Sequence, residues 1–274
     1  MTRRTLLAAI LLLGACGQSV PPMPQQAQPK AIGFESAGTR TPTEHGRRLA
    51  RVLGCQGCHG ANLQGQAWDE EADFAISFTS NLTRALPAYS DAQIERAMRE
   101  GVRPDGSPLW GMPSEIFTHL EAADMAALIA YLRTVRPAGN VHPRAVFGPA
   151  GRREIAAGSY KPAPRLAREG REVRPAALDG RHELARYMTR ATCGECHGLA
   201  LTGQGIAPER TPDLDVAGAY SRTQFRHLMR TGQPPDGRQL RLMGEVARGR
   251  FVHLTDSEVD AIYDYLVARA RRAQ

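Results

Sequence analysis

Two copies of one five-residue pattern constrain the fold of this chain more than any other feature. One copy reads C-Q-G-C-H and the other reads C-G-E-C-H. C-x-x-C-H is the attachment signature of c-type haem, in which both thiols bond the macrocycle and the adjacent histidine lies under the iron. We therefore predict two covalent haem c groups, each with a histidine as proximal iron ligand. The residues concerned are Cys55, Cys58 and His59 in the first motif and Cys193, Cys196 and His197 in the second.

Paired cysteines have two other common uses. Zinc is held by Cys-x-x-Cys pairs, but the two pairs here lie in separate, similar segments, so each segment would offer an incomplete set of ligands. A redox-active dithiol is expected within a βαβ unit, whereas the flanking residues of both motifs read as helical. The haem interpretation also leaves no cysteine over, since the fifth, Cys16, belongs to the N-terminal signal.

The first sixteen residues have the pattern of an export signal. Two arginines precede an apolar run from Leu6 to Leu13, which is shorter than the roughly 20 residues that span a membrane. Residues 13–16 read L-G-A-C and resemble the lipobox of bacterial lipoproteins. That resemblance implies removal of residues 1–15 and a lipid on Cys16. It also implies a protein that faces the periplasm from the inner or the outer membrane.

An internal repeat divides the rest of the chain. Pro-Asp-Gly occurs at 104–106 and again at 235–237, an offset of 131 residues, and the two haem motifs are offset by 138. Since each copy carries one haem motif, we predict two domains of similar fold. The predicted division is a signal peptide at 1–15, a flexible tether at 16–40, a first domain at 41–137, a linker at 138–179 and a second domain at 180–274.

Proline, arginine, glycine and alanine dominate the predicted linker, which we expect to be partly extended and packed over the surface. From 136 to 181 the chain has ten Lys or Arg and four acidic residues, so this stretch supplies most of the net charge of +7. A basic stripe suits anionic headgroups or an acidic redox partner, and it also favours solubility. Because the charge is confined to this stretch, we do not expect a nucleic-acid-binding surface.

Apolar spacing and helix caps predict an all-α fold. Ser90 is the expected N-cap of a helix that ends at Gly101, and a similar helix recurs in the second domain. The last helix of the second domain is expected to begin at Thr255, with Glu258 completing a capping box. Its counterpart in the first domain has Glu121 in that place and should be less firmly capped. No alternating strand pattern appears.

Methionine is the usual distal partner of histidine in electron-transfer haems, where it raises the potential. Met112 and Met243 each follow a Pro-Asp-Gly turn in an expected loop, and we predict that they are the distal ligands. Met98 and Met229 are also a matched pair. They lie on the apolar side of an expected helix, where methionine more often fills the core.

Histidines offer another distal ligand. His119 and His253 are a matched pair just before the last helix of each domain. Ligation of each iron by two histidines would lower the potential, because a nitrogen ligand favours the ferric state. The alternative role for this pair is to cover a helix start or a haem edge. His45 and His142 have no matched partner and are expected at the surface.

With these motifs the sequence resembles a tandem class I cytochrome c. Residues 79–83 (T-S-N-L-T), 101–106 (G-V-R-P-D-G) and the pair Met112-Pro113 are similar to those of cytochrome subunits of membrane-associated dehydrogenases. The resemblance covers about 43–136 and 181–272. It implies two small helical domains, each folded around one covalent haem. Gly244 stands where the first domain has Pro113, so the two haem potentials are expected to differ.

The expected function is electron transfer rather than catalysis. A protein ligand on both faces of each iron leaves no open site for a substrate, and the redox chemistry belongs to the cofactor. Electrons would pass between a periplasmic or membrane donor and an acceptor: a dehydrogenase, an oxidase or another cytochrome. The chain could itself be the cytochrome subunit of a dehydrogenase. The alternative is a dihaem enzyme, peroxidase-like or oxidising a small donor, with a displaceable ligand at one haem.

Overall fold

The computed structural model describes residues 32–36, 41–205 and 210–272. The predicted signal peptide, Cys16 and the tether before residue 32 lie outside the described residues. The described part is mostly helical, as predicted, and it also contains one small sheet. None of its helices is both long enough and apolar enough to span a membrane.

The helices of the first half (residues 41–137) are α1 (Pro42–Val52), α2 (Cys55–Cys58), α3 (Leu82–Ala85), α4 (Asp91–Glu100), α5 (Ser114–Phe117) and α6 (Ala122–Leu132). The α4 helix has the predicted limits. Ser90 and Gln93 form a capping box at its start, and Gly101 is its C-cap. The α6 helix begins after Glu121 without a side-chain cap, which also confirms the prediction.

The first and last helices of this half, α1 and α6, pack directly against each other. Leu49 of α1 and Leu128 of α6 are fully buried. A β-carbon on Gly46 would lie 1.8 Å from the carbonyl oxygen of Ala127. Only glycine therefore allows the two backbones to approach this closely, and the close contact fixes how α1 leads into the first haem motif.

The prediction of an all-α fold is wrong in one region. Strands β1 (Ala67–Glu71), β2 (Ala75–Phe78) and β3 (Val146–Phe147) form an antiparallel sheet in the order β1-β2-β3. The strands are too short for alternation to show, and β1 is mostly exposed on both faces. The pairing of β2 with β3 joins residues about 70 positions apart, which no local pattern reveals.

The middle segment (residues 138–179) has more regular structure than the predicted linker. It contains β3, α7 (Pro149–Ala157) and α8 (Ala163–Glu169). Prolines at helix starts explain why its composition suggested extended chain, since Pro149 occupies the first turn of α7, where its missing N–H costs nothing. The α8 helix packs against α4 and α5, so the middle segment is attached to the first half.

The helices of the second half (residues 180–274) are α9 (Glu183–His197), α10 (Arg222–Thr231), α11 (Arg241–Gly249) and α12 (Asp256–Arg272), with 3₁₀ turns at Gly180–His182, Leu214–Ala219 and Phe251–His253. Another 3₁₀ turn, Leu86–Ala88, belongs to the first half. The capping box predicted before α12 is present. The Thr255 amide donates to Glu258 Oε2 (2.8 Å), and the Glu258 amide donates to Thr255 Oγ1 (3.0 Å). As in the first half, the first and last helices, α9 and α12, are in contact.

The two halves meet through a reciprocal interface. The α1 helix contacts the 3₁₀ turn Phe251–His253, while its counterpart α9 contacts α5. Because Phe117 and Phe251 occupy matched repeat positions, these are the same contact made twice, as in a two-fold dimer. An arginine hydrogen-bonds across each contact. Arg48 Nη1 donates to the carbonyl of His253 (3.1 Å), and Arg190 Nη1 donates to the carbonyl of Ile116 (3.0 Å).

Residues 32–36 correct the prediction of a flexible tether up to residue 40, because they pack against both halves. Phe34 is buried against the Tyr187 ring, with ring centroids 5.5 Å apart, and its amide donates to Asp124 Oδ2 (2.9 Å). The Glu35 amide donates to Glu258 Oε1 (2.9 Å). Buried contacts of this kind hold a backbone in one conformation, so this stretch is part of the folded body.

Candidate functional site

The first haem motif forms a short helical turn. Gly54 has a left-handed backbone (φ 82°), which lets the chain leave α1 and enter α2. His59 follows α2, and its Nδ1 lies 2.8 Å from the carbonyl oxygen of Ser80. A carbonyl oxygen only accepts hydrogen bonds, so Nδ1 carries the proton and Nε2 keeps its lone pair for iron.

The second motif forms the last turn of α9 and presents its histidine in the same way. His197 Nδ1 lies 2.9 Å from the carbonyl oxygen of Pro212. Burial lowers the pKa of His59 and of His197, and the hydrogen bond to a carbonyl opposes this in part. Both imidazoles are therefore neutral at pH 7, which is the form that ligates a metal.

The loops after the two histidines share their hydrogen bonds atom for atom. Thr79 Oγ1 donates to the carbonyl of Cys58 (2.8 Å), and Thr211 Oγ1 donates to that of Cys196 (2.6 Å). The bonded residues at the start of the two loops, Cys58 and Cys196, are 138 positions apart. Those at the end of the loops, Thr79 and Thr211, are 132 positions apart. The six extra residues of the first half thus lie in the tract that forms β1 and β2. Further matched backbone bonds include Gly65 to His59 and Gly203 to His197, and Leu82 to Leu63 and Leu214 to Leu201.

The four motif cysteines are free thiols. Burial raises the pKa of Cys55 and of Cys193 to about 11, and it also raises the pKa of Cys58 and Cys196. All four are therefore neutral thiols at pH 7. Each motif thus offers two thiols and one imidazole nitrogen, which is the set that covalent haem attachment requires.

A cavity of about 350 Å³, called the haem cavity below, opens beside the first motif. Cys55, Cys58 and His59 line one part of it, and its other walls are mainly apolar and aromatic. Cofactor pockets have this size and this mixture of apolar walls with a few placed polar groups. The residues present therefore fit a haem bound through the first motif.

Both methionines considered for the first iron line this cavity. Met112 lies in the loop before α5 and is half-buried. Met98 is buried on the apolar face of α4 among core residues. A buried side chain on a helix is committed to packing, whereas a loop side chain is able to turn toward a ligand. Met112 therefore remains our predicted ligand.

The loop predicted around Met243 is absent, because Met243 lies in α11. The cause is the residue that follows it. Pro113 has no amide hydrogen and keeps Met112 outside α5, whereas the Gly244 amide donates to the carbonyl of Leu240 (2.9 Å) inside a helix. Met243 is half-buried and packs against the core. Its role as an iron ligand stays a prediction.

The rival histidine of the first half has no free nitrogen. His119 Nε2 donates to the carbonyl of Arg171 (2.7 Å), so its Nδ1 accepts from Arg174 Nη2 (3.1 Å). His119 lies in a second cavity, between the halves, and not on the haem cavity. It lies just before the start of α6, in agreement with the structural role considered for it, that of covering a helix start. His253 lies in the 3₁₀ turn that contacts α1.

Of two histidines expected at the surface, His45 is buried and His142 is half-buried. His45 is buried in α1, with Nε2 3.1 Å from Asp124 Oδ1. His142, in the middle segment, lines the haem cavity and stacks on Phe78 with ring centroids 5.2 Å apart. Neither has a histidine partner in the other copy of the repeat, and the comparison between copies therefore could not reveal them.

The middle segment supplies a wall of the haem cavity that the sequence did not predict. Tyr160 stacks on Trp110 with ring centroids 5.4 Å apart, and Phe147 meets Trp110 edge-on at 4.8 Å. All three rings line the cavity. Large aromatic side chains inside a Pro- and Arg-rich segment were the available signal, because such residues are rarely left in solvent.

The cytochrome c family model matches residues 43–136 and 185–269. These two segments contain the two C-x-x-C-H motifs and include both predicted methionine ligands. The match therefore covers most of the chain, and it follows the division into two halves that the internal repeat suggested.

Three similar proteins are named as cytochromes or cytochrome subunits. The chain is 26% identical to the fructose dehydrogenase cytochrome subunit of Gluconobacter japonicus, over 98% of the chain and 60% of that protein. It is 24% identical to the cytochrome c subunit of the quinone alcohol dehydrogenase of Gluconacetobacter polyoxogenes, over 81% of the chain and 55% of that protein. It is 28% identical to a dihaem cytochrome c-type protein of Cereibacter sphaeroides, over 96% of the chain and 97% of that protein.

The chain thus spans about 60% or less of the two dehydrogenase subunits and nearly all of the dihaem cytochrome. These three names describe electron-transfer subunits or a dihaem cytochrome. None of the three supports the alternative of a catalytic dihaem enzyme.

Proposed function

The chain belongs to the cytochrome c family. We propose which residues hold its two haem c groups and which class of protein is its redox partner. Bound haem iron supplies the reversible gain and loss of one electron. The protein attaches the group, orients it and excludes water. The proposed thioether residues are Cys55, Cys58, Cys193 and Cys196. The proposed iron ligands are His59 with Met112 and His197 with Met243.

One observation carries this proposal: both motif histidines donate Nδ1–H to a backbone carbonyl, which leaves Nε2 unprotonated and able to bind an iron. Such hydrogen bonds fix ring orientation and increase the basicity of a ligating nitrogen. In both halves the histidine with this geometry directly follows the two cysteines of its motif.

We infer that the redox partner is a dehydrogenase. Two of the similar proteins are named as cytochrome subunits of dehydrogenases that act on fructose or on an alcohol. The basic surplus of the middle segment would suit an acidic surface on the catalytic partner. Purification from native membranes should recover a catalytic subunit with this chain, and recovery of the free cytochrome alone would count against the partner.

We further propose that Cys16 carries a lipid and that the mature protein faces the periplasm. The L-G-A-C sequence and the short apolar run before it support this. Cys16→Ser should move the protein from the membrane pellet to the soluble fraction, whereas Cys16 with its lipid should remain in the pellet until detergent is added. A variant that stays membrane-bound would contradict the anchor.

The haem proposal is tested by counting haems. Absorption in alkaline pyridine should give two haem c groups per chain, and the double variant Cys193→Ala with Cys196→Ala should retain one. Carbon monoxide should leave the reduced spectrum of the unaltered protein largely unchanged, because both irons carry a distal protein ligand. Rapid, complete binding of carbon monoxide at both haems would contradict the assigned methionines.

A further inference from the structure

An ion pair at the junction of the two halves breaks their reciprocal symmetry. Repeat position by repeat position, Arg250 corresponds to Ile116, and Glu195 corresponds to Gly57. On one side of the junction, Ile116 lies beside the second motif, 3.8 Å from the point where Gly194 would carry a β-carbon. On the other side, Arg250 lies beside the first motif. One contact is therefore apolar, and its counterpart is charged.

Arg250 reaches from the second half onto the backbone that leads into Cys55. Its Nε donates to the carbonyl of Val52 (3.3 Å). A β-carbon on Gly54 would lie 2.6 Å from the Arg250 Cζ, so the guanidinium occupies space that any other residue at position 54 would fill. The charge of Arg250 is thus held directly against the first haem motif.

Glu195 belongs to the second haem motif and is the partner of this guanidinium. Arg250 Nη1 lies 3.0 Å from Glu195 Oε2, and the two side chains are only 13% and 29% exposed. Glu195 also lines the cavity beside the first motif. One ion pair therefore joins the second haem motif to the turn that leads into the first.

The electrostatic influence of the pair extends to the motif thiols. Burial is the main cause that raises the pKa of Cys55 and of Cys193, and Arg250 opposes it at both. Glu195 acts in the opposite sense at Cys55, where it raises the pKa of the thiol. A cation and an anion inside one partly desolvated junction act more strongly than they would in water.

Arg250 Nη2 is buried and has no hydrogen-bond partner among the described residues. Leaving a buried guanidinium nitrogen unpaired is costly, as is removing a charge from water. If the pair only joined the two halves, an apolar contact such as that between Ile116 and Gly194 would do so without the free-energy cost of burying charge. The arrangement is therefore better explained by what the charge does to its surroundings.

We propose that Arg250 and Glu195 set the redox potentials of the two haems, with Arg250 acting mainly on the first haem and Glu195, which lies in the second motif and lines the cavity beside the first, acting on both. This inference rests on the proposed binding of one haem at each motif. Reduction removes one unit of positive charge from a haem iron, so a nearby cation favours the reduced state and a nearby anion favours the oxidised state. Neither residue ligates iron, and each acts on the potentials through its charge.

Potentiometric titration of the two-haem protein tests the proposal. In Arg250→Met, the ratio of oxidised to reduced first haem at a fixed ambient potential should rise roughly tenfold, which is about 59 mV for a one-electron couple. In Glu195→Gln, the midpoints of both haems should move in the opposite direction. The double variant should return toward the original values.

Two further variants separate charge from structure. Arg250→Lys keeps the cation and should keep both midpoints near their original values. Arg248→Met removes a cation from the exposed face of α11 and is the matched control, expected to leave both midpoints unchanged. Thermal unfolding of each variant shows whether the fold persists. If Arg250→Met does not fold, Glu195→Gln and the double variant still provide the test.

Opposite shifts in the two single variants would support the proposal. If Arg250→Met shifts the midpoints no more than Arg248→Met does, or if both single variants shift them in the same direction, the proposal is wrong. Haem content, measured in alkaline pyridine on each variant, distinguishes this outcome from failure of the proposed function. A chain with two haems and unchanged potentials contradicts only the role of the ion pair.

Discussion

At the scale of single residues, one backbone carbonyl orients each histidine that we predict to ligate iron. The carbonyls of Ser80 and Pro212 hold the proton of each imidazole on Nδ1 and so prepare Nε2 as a ligand. The two predicted distal ligands differ in their setting, because Met112 is in a loop and Met243 is in a helix. A loop methionine and a helical one are not equally free to meet an iron, so unequal haem properties are expected.

Replacement of Met112 tests the distal ligand of the first iron. Met112→Ala should open one coordination position, and carbon monoxide should then bind about half of the total haem after reduction. Met98→Leu is the matched control, since Met98 lines the same cavity, and it should leave both irons closed. Difference spectra with and without carbon monoxide measure this. An open iron in the Met98 variant and a closed one in the Met112 variant would reverse the assignment.

The candidate site could be read from the sequence only where its chemistry is local. Two cysteines and a histidine within five residues predict haem attachment wherever they fold. His142 could not be found, because it reaches the cavity from the middle segment and hydrogen-bonds the carbonyl of Gln64, 78 positions away (3.0 Å). The contact between Glu195 and Arg250 spans 55 positions and was missed for the same reason.

At the scale of elements, caps decide where helices begin. Ser90 and Ser221 form matched capping boxes with Gln93 and Gln224, in which each side chain accepts a hydrogen bond from the other's amide. Two otherwise unpaired amides are satisfied in each box. The helices that follow, α4 and α10, occupy matched positions in the two halves, so the caps are part of what the repeat preserves.

Removing one cap should weaken the fold by a predictable amount. Ser90→Ala should lower the free energy of unfolding by about 1 kcal/mol, because the Gln93 amide loses its acceptor. Glu121→Ala, at the start of α6 where no side chain caps the helix, should change it by less than about 0.5 kcal/mol. Urea denaturation followed by circular dichroism measures both. Equal losses in the two variants would show that the cap contributes nothing specific.

Element prediction succeeded for capped, amphipathic helices and failed where pairing is long-range. The α4 helix has its start and stop signals in its own sequence. By contrast, β2 is a strand because it pairs with β1 on one side and with β3 on the other. In the middle segment, α8 lies against α4 and α5, and those contacts stabilise a seven-residue helix that propensity alone would not.

At the scale of the whole molecule, a buried ion pair joins the halves. Arg48 of α1 lies 2.8 Å from Glu258 of α12, and the Glu258 side chain is fully buried. Glu258 Oε1 also accepts the amide of Glu35, so residues 32–36 are held at the same point. One carboxylate therefore ties together the N-terminal segment, the first half and the second half.

Neutralising that carboxylate should destabilise the molecule strongly. Glu258→Gln leaves the buried Arg48 guanidinium without a counter-charge, and the free energy of unfolding should fall by about 3–5 kcal/mol. Arg96→Ala removes an exposed ion pair on α4 and should cost less than about 1 kcal/mol. Urea denaturation of the two-haem protein measures the difference. A loss in Glu258→Gln no larger than in Arg96→Ala would mean that the halves do not depend on this tie.

The reciprocal interface has a consequence for how such a chain diverges. In a dimer of identical subunits, every residue at the two-fold contact occurs twice, and a mutation alters both copies at once. Covalent fusion removes that constraint, so the position held by Ile116 in one copy is held by Arg250 in the other. The joined halves behave like a dimer whose subunits are able to specialise, and selection can act on the difference between them.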